Sequence, residues 1–493
     1  MRKMKKMIQV FGSSAAMSVL LVFLVCPSTA VAGEMTLKEL IRAAGEVEIG
    51  VDARARYEAW DGFERLASQD SNSYDFTTYR FRPYLGYAWD NVLLFSKFQA
   101  AGGLDLPDDA ASGPGLNYYN WSAPDDDPNE TDIIELYLEA ENVGLRGLGF
   151  RIGRQGLKDG AEVQYNDYAW QWLKENRLSE RLIGNWDWSN MGRRYDAATV
   201  FYDTSDYNLN VFGAKALSGG YDYSGYNQLN DVFIGGGAFT VKKDTLSNLE
   251  FRLFDYFYRD DRDIISDAGF IPGGKLEINT VGASVLGVYP DVGAGDFDFM
   301  LWGCYQSGDW GEADQEAYAA VAEAGYRLPA VAWQPWSRLG FAYASGDDSP
   351  GDDDNETFFN LLPSNHKYHG AMDATAFSNL YDAYLQIILN PMEKLELQMD
   401  GHYYMLAEDD EGTDYWYVGS GVYNDEAFGY ERRSTGGDDE LGMEVDLSAQ
   451  YQLAANMGFT VGYAHFFGED ATENYYLADE DADWGYAQFD LQF

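Results

Sequence analysis

Pairs of arginines separated by one residue recur in the sequence, and such a spacing places both side chains on the same face of a β-strand. Arg54 and Arg56 form one pair in DARAR, and Arg80 and Arg82 form another in YRFRP. Guanidinium groups stay cationic at any physiological pH and bind carboxylates through paired N–H donors. Rings of arginine in a pore favour anions. These residues could therefore hold or guide an anion, provided that the fold aligns them along one wall.

Carboxylates show the same spacing further along the chain. Glu135 and Glu139 share a face of DIIELYLEAE, and Glu444 and Asp446 share a face of LGMEVDL. Opposite charges on neighbouring strands could pair, at about 0.2–1 kcal/mol each, or unpaired arginines at a constriction could form an anion-selective track. Both interpretations remain open. Alternation assigns the following residues to one inner wall: Arg54, Arg56, Arg80, Arg82, Glu135, Glu139, Arg151, Arg252, Arg338, Asp382, Gln386, Glu396, Asp400, Glu444 and Asp446.

The elements that carry these side chains are predicted to be β-strands. In residues 441–451 (LGMEVDLSAQY) every odd position is apolar and every even position is small, polar or acidic. This alternation is typical of a strand with two different faces. Similar segments follow one another along the chain, and about eighteen are predicted. They lie near 47–60, 75–89, 91–103, 131–143, 146–156, 192–203, 207–217, 229–242, 247–259, 274–289, 295–308, 313–328, 335–346, 378–390, 393–406, 439–452, 455–466 and 482–493.

The connections between these segments indicate how the strands are arranged. Short connections such as WDN, ENVG and DTSD alternate with long ones, for example at 104–130 and 157–191. An even number of strands with short turns at one end and long loops at the other is typical of a transmembrane barrel. Closure also pairs every backbone group, as lipid requires. The predicted fold class is all-β, an up-and-down antiparallel barrel over residues 47–493 with Leu441 and Val445 facing lipid.

The N-terminal segment has the features of a secretory signal peptide. Basic residues precede the apolar run SVLLVFLV, and AVA at 30–32 supplies the small residues of a cleavage site. We predict a signal peptide over residues 1–32, followed by a short periplasmic-side helix within residues 33–46. Thr36 and Glu39 form a capping box at the start of that helix.

The composition excludes other classes of protein. The formal net charge is −47, and the first 32 residues contain four of the 34 basic residues and no acidic ones. The remainder therefore carries 30 basic against 81 acidic residues, whereas a nucleic-acid binder needs a basic surface. The aromatic content of 16% is too high for a disordered chain. Cleavage after Ala32 leaves Cys304 as the single cysteine, so no internal disulfide is predicted.

The sequence does not support an enzyme. His366 and His369 lie on one loop with Asp373, but no nucleophile motif, zinc spacing or phosphate loop accompanies them. No cofactor is expected, except that the acidic external loops, such as the D-x-D-x-D stretch at 479–483, could hold a structural calcium ion. The alternative is a solvated acidic surface that faces lipopolysaccharide.

Several stretches together resemble the alginate export family of outer-membrane barrels. They are RIGRQGL (151–157), RRYDAATVFYD (193–203), YASGDD (343–348), FFNLLPSNHKYHGAMD (358–373), LGMEVDL (441–447) and GYAHFFGED (462–470). The resemblance implies an eighteen-stranded barrel that passes an anionic polysaccharide through an arginine-lined pore. It adds Arg154, Arg193, Arg194 and Asp196 to the expected pore-lining residues and supports Arg151. Arg154 is exceptional, because the alternation of its strand places its side chain on the outer face.

Three hypotheses for function follow. The first is a passive outer-membrane channel of the alginate-export type for an anionic or polar saccharide. The second is a general or substrate-specific porin for small solutes, including cations, and the third is a secreted soluble carbohydrate-binding protein. For the first two the expected location is the outer membrane of a Gram-negative bacterium. The expected partners are lipid, lipopolysaccharide, the saccharide cargo and the barrel-assembly machinery, which would recognise the terminal Phe493.

Overall fold

The computed structural model describes most of the chain after the N-terminal segment. The described residues are 46–64, 72–121, 124–223, 225–262, 275–349, 352–410, 412–418 and 432–493. The predicted signal peptide (1–32) and the predicted helix within residues 33–46 lie outside the described residues, except for residue 46.

Eighteen antiparallel strands form one closed barrel, as the alternating pattern predicts. Closure occurs where β18 pairs with β1, in a register that sets Asp52 opposite Gln492. The strands are β1 Glu46–Glu64, β2 Ser73–Trp89, β3 Val92–Leu104, β4 Asn129–Ala140, β5 Leu148–Gln155, β6 Tyr195–Asp203, β7 Tyr207–Ala216, β8 Val232–Val241, β9 Leu249–Asp260, β10 Leu276–Val292, β11 Gly295–Trp310, β12 Ala313–Arg327, β13 Trp336–Ala344, β14 Leu380–Met392, β15 Leu395–Met405, β16 Glu440–Ala454, β17 Met457–Gly468 and β18 Asp479–Gln492.

Short turns connect the strands at one end of the barrel, and most long loops lie at the other. Asp90 and Asn91 join β2 to β3, and Gly293 and Ala294 join β10 to β11. Asp90 and Gly293 both have positive φ, as two-residue hairpin turns require. The long-loop end has one exception, because Gly311 and Glu312 alone join β11 to β12.

The outer face of the barrel is an apolar band. On β16, Met443, Val445 and Leu447 are exposed, whereas Glu444 and Asp446 are buried in the lumen. Shifting the register by one residue would turn both carboxylates toward lipid, which disfavours charged groups there. Leu441 is a correction to the predicted pattern: the register shifts at this position, and its side chain is fully buried.

Several long loops fold into the lumen and pack against one another. We call residues 156–194 loop A and residues 345–379 loop B. Trp186 of loop A and Leu362 of loop B are buried in the same hydrophobic cluster, and Ile183 forms an isolated parallel bridge with Leu362. The lumen at this level is therefore filled by packed loops.

Helices and minor strands occupy the loops. They are α1 Pro114–Trp121, α2 Tyr168–Leu173 with a π turn at Lys174–Leu178, a 3-10 turn at Asn365–Lys367, α3 Asp470–Glu473, and the short strands Asp354–Asn355, Tyr415–Tyr417 and Arg432–Ser434. No helix among the described residues is long and apolar enough to span a membrane.

Candidate functional site

Four arginines on β1 and β2 form a cluster on the inner wall. Arg54 lies directly opposite Arg80 in the strand register, and Arg82 lies opposite Asp52. Together with Arg56 these side chains are buried, none being more than 9% exposed. Like charges placed opposite each other destabilise a sheet. The cluster therefore requires acceptors from another part of the chain.

Loop A supplies those acceptors. Arg54 donates to the main-chain oxygens of Asp187 (3.1 Å) and Ser189 (2.8 Å), and Arg80 donates to the oxygen of Asp187 (2.9 Å). The Asp187 carboxylate accepts hydrogen bonds from Arg82 at 2.9 Å and from Arg194 at 3.1 Å. Burial alone would raise the pKa of Asp187, but Arg194 and Arg82 outweigh it and hold that pKa well below its usual range. The Asp187 carboxylate is thus held in the lumen in its ionised form.

The arginines around Asp187, which are those of the cluster and Arg194 of loop A, differ in how fully they are neutralised. Arg82 and Arg194 reach a carboxylate, but among the described residues neither Arg54 nor Arg80 has one within hydrogen-bond distance. The closest approach is that of Arg80 Nε to Asp52 at 4.0 Å, and the Nε atoms of Arg54 and Arg80 are buried without a hydrogen-bond partner. Some of these guanidiniums are therefore paired with a carboxylate, while others beside them are not.

Arg56 connects both inward loops to the barrel wall. Its guanidinium lies 3.6 Å from the centre of the Trp188 ring and donates to the Trp188 oxygen at 3.0 Å. The Trp188 ring also stacks on His366 of loop B, with centroids 3.7 Å apart and planes inclined by 9°. His366 Nδ1 in turn lies 3.0 Å from an Asp373 oxygen. Loops A and B therefore meet at the wall formed by β1.

Other sequence-predicted residues position the same two loops. Glu444 and Asp446 accept hydrogen bonds from the main-chain N–H groups of Met372 (2.8 Å) and Ala371 (3.2 Å) in loop B. Arg193 donates to the Leu362 oxygen at 2.8 Å. These charges hold loop backbones in place.

Other inward residues form ion pairs with the wall or with loop A. Glu135 accepts from Arg194 at 3.0 Å, and Arg151 pairs with Glu139 on the neighbouring strand. Arg338 lies 2.7 Å from an Asp298 oxygen.

Arg154 and Asp196 lie on the opposite face of the sheet, which corrects their expected place on the inner wall. Arg154 is opposite Leu136 in the register, and the Leu136 side chain is exposed on the outer surface. Tyr195 and Ala197, which flank Asp196, are buried inward, so alternation turns Asp196 outward. The two charges pair with each other there at 2.9 Å.

Sequence reasoning missed the loop residues that complete the site. Asp187 and Trp188 lie in WDWSN, which follows no strand or helix period that would give them an orientation. A His–Asp–His contact was missed as well: Asp382 of β14 binds His369 of loop B and His402 of β15, each at 2.9 Å.

Cavities remain beside the packed loops. One of about 700 Å³ lies against β4–β7 and β9 and is lined by Glu139, Arg151, Lys158 and Lys242, among others. Another, of about 200 Å³, lies against the opposite wall, between both inward loops and β14–β18.

The described residues contain no group of three or more His, Cys, Asp or Glu side chains that could hold a metal ion. Calcium at the acidic external loops stays a prediction.

Comparisons with known proteins agree with this architecture. The profile of the alginate export family matches residues 46–482. The search of curated proteins returned no match. Among solved structures, OccK9 (OpdG) of Pseudomonas aeruginosa aligns with a TM-score of 0.57 at 10% identity, covering 91% of this chain and 98% of the other. OccAB1 of Acinetobacter baumannii gives 0.56 at 10% identity, covering 91% and 96%. OprD of P. aeruginosa gives 0.53 at 12% identity, covering 91% and 94%. At these identities the solved structures show the fold alone.

Proposed function

We propose that this chain, which belongs to the alginate export family and forms a Gram-negative outer-membrane barrel, is a passive channel for an anionic saccharide. The barrel and its family support a channel. That the channel carries a saccharide is our own addition to this conclusion. No catalytic role is assigned to the chain.

One observation carries the proposal: the Asp187 carboxylate is bound by Arg82 and Arg194. A uronate unit of an acidic polysaccharide would present the same group to the same guanidiniums. Carboxylates are the natural partners of such a planar fork of donors. Asp187 therefore stands in for one carboxylate of the cargo.

Passage through this lumen requires loop A to leave the arginine cluster. When an incoming carboxylate replaces Asp187, the arginines keep the same number of ion pairs, so the exchange carries a smaller electrostatic cost than emptying the site. Arg54 and Arg80 offer further donors to a chain that bears several carboxylates, because their present acceptors are neutral main-chain oxygens. Such an exchange suits movement down a gradient without an energy source.

A porin for small solutes is the second candidate, and the cavity sizes favour it. The cavity of about 700 Å³ falls in the range of small-molecule sites, which usually occupy about 300–1,000 Å³, and the cavity of about 200 Å³ is smaller still. One structural neighbour, OpdK of P. aeruginosa, was solved with vanillate, a small carboxylate. The large negative net charge would favour cations near the mouth of the channel.

The third hypothesis, a secreted soluble protein, is contradicted by the closed barrel with an exposed apolar band and by the family match. We propose in addition that Phe493 is recognised by the assembly machinery and that lipopolysaccharide contacts the acidic external loops.

Reversal potentials in planar bilayers test the main proposal. Arg54→Gln and Arg80→Gln should each reduce anion preference. Added oligouronate should block the current of the wild type more strongly than the current of either variant. Arg259→Gln is the matched control, because Arg259 is exposed and pairs with Asp261 away from the cluster. Cation preference in the wild type, together with no block by oligouronate, would favour the small-solute porin.

A further inference from the structure

The cavity of about 200 Å³ is built by three parts of the molecule. Loop A contributes Trp172 and Asn176, loop B contributes residues 366–368 and 370–371, and β14–β18 contribute Gln386, Asp446 and Tyr486 among others. Its volume is below the range usual for drug-sized ligands. A single small ring fits it better than a chain of rings.

Two hydrogen-bond acceptors in this cavity are buried and unsatisfied. Oε1 of Gln386 and Oδ1 of Asp446 have no hydrogen-bond partner, and these residues are only 4% and 8% exposed. Buried polar atoms almost always have a partner in a folded protein. Two unsatisfied acceptors that line one cavity therefore indicate a ligand that brings donors, such as hydroxyl groups.

Both basic side chains that line the same cavity, and the Tyr384 hydroxyl, are already engaged. Lys367 Nζ donates to Glu180 at 2.7 Å, and the Arg177 guanidinium donates to Glu323 at 2.9 Å. Tyr384 donates its hydroxyl to Glu323 at 2.6 Å. The cavity therefore offers acceptors to a ligand rather than free cations.

The ionisable groups that line the cavity do not select a charged ligand. Acidic residues (Asp400 and Asp446) and basic residues (Lys367 and Arg177) both line it, so the wall favours neither sign of charge. A neutral ligand suits such a mixed wall. Its hydroxyl groups can also satisfy the acceptors that remain.

Aromatic rings form the rest of the wall. Trp172 and Tyr486 line the cavity and are only partly buried. Trp172 packs against Trp336, and Tyr486 stacks on Trp484, with centroid distances of 4.6 and 4.8 Å. Neighbouring rings thus fix both orientations, and such rigid apolar faces suit the C–H face of a sugar.

We propose that this cavity is a subsite for one pyranose ring, bound through its hydroxyl groups and an apolar ring face and not through a carboxylate. The inference rests on the proposed function, since it names the part of the saccharide that this wall recognises. The arginine cluster would then bind the carboxylates of the cargo, while this subsite binds its sugar rings.

Binding of three small probes to the purified full-length barrel tests the subsite. Saturation-transfer NMR and calorimetry would compare methyl α-D-mannopyranoside, sodium glucuronate and putrescine. The neutral glycoside should bind best. Gln386→Leu should weaken its binding by about two- to tenfold, as expected for the loss of one net hydrogen bond, and Trp172→Leu should weaken it by removing part of the apolar wall.

Matched controls are available elsewhere on the chain. Gln452→Leu and Trp333→Leu change exposed residues outside the cavity, and neither should affect binding of the glycoside. Heat-modifiable gel mobility would show whether each variant is folded. If one of the two cavity variants does not fold, the other still tests the subsite.

Three outcomes would overturn the subsite: preferred binding of putrescine, preferred binding of glucuronate, or glycoside binding that neither cavity variant changes. Anion preference and oligouronate block, measured on the same preparation, report on the proposed function separately. A channel that retains both but binds no glycoside would refute the subsite alone.

Discussion

Arg54 and Arg80 lie opposite each other on neighbouring strands, and the same main-chain oxygen, that of Asp187, accepts a hydrogen bond from both. Two buried guanidiniums in this arrangement repel each other. The carbonyl oxygen offsets only part of that repulsion, because it carries no net charge. The arginine cluster is therefore a candidate anion site, and loop A covers it.

Asp187→Asn should weaken the attachment of loop A. The carboxylate is the shared acceptor of Arg82 and Arg194, and an amide cannot neutralise either of them. We expect a severalfold increase in the open fraction of single channels, with stronger anion preference. Asp244→Asn, in an exposed turn, is the control and should behave as wild type. An unchanged open fraction in Asp187→Asn would contradict the role of loop A as a plug.

Asp159 should make the closed position of loop A less stable as the pH rises. Asp187 acts in the opposite direction, because its pKa is lowered and not raised. Burial raises the pKa of Asp159 to about 6, with Arg252 opposing the rise, whereas the unfolded value is about 3.9. The folded loop therefore loses stability as pH rises through about 6, and the full loss is about 3 kcal/mol. Below about pH 4 the penalty is absent.

Single-channel recordings at pH 5 and pH 7.5 would measure this effect. If opening exposes Asp159, the closed state should be favoured about tenfold more at pH 5. Asp159→Asn should remove most of that difference and favour closure at pH 7.5, because the amide oxygen can still accept from the N–H groups of Leu182 and Ile183. Asp206→Asn, in an exposed turn, should keep the pH dependence of the wild type.

The barrel could be predicted from sequence because the pattern that indicates a β-strand is formed by adjacent residues. Alternation with a period of two fixes a strand and its two faces from adjacent residues alone, and the predicted segment 207–217 became β7 at Tyr207–Ala216. The errors in orientation occur at bulges. Leu441 was expected to face lipid, but it lies where the register shifts and is fully buried. Ile134 is fully buried at a second register shift. One extra residue reverses the alternation at that point.

The site could be predicted only in part, because its contacts are not local. Arg54 and Arg82 were placed correctly on the inner wall, since strand alternation determines their direction. Asp187, which binds Arg82, is 105 residues away in the chain, in a loop without any period. Neither the inward fold of loop A nor the choice between paired and unpaired arginines follows from residue spacing.

Removal of Phe493 should impair assembly more than it impairs the folded barrel. Its ring is 76% exposed, and its main-chain N–H donates to the Val51 oxygen at 2.8 Å, so the side chain adds little internal packing. We expect less heat-modifiable barrel in isolated outer membranes when Phe493 is deleted. Phe459→Ala removes another lipid-facing ring, on β17, and should assemble normally. Equal loss in both variants would indicate a general packing defect instead.

The stacked rings of Trp188 and His366 should couple the two inward loops. Trp188→Leu and His366→Leu each remove the contact between loop A and loop B, so the double variant should be less destabilised than the sum of the two. We expect a coupling free energy of about 0.5–1.5 kcal/mol in the closed state, measured from the open fractions of the four proteins. The same cycle at Trp333 and His465, which lie on different parts of the barrel, should give no coupling. If the cycle at Trp188 and His366 also gives none, the loops open independently, and a saccharide would have to displace loop A and loop B in separate steps.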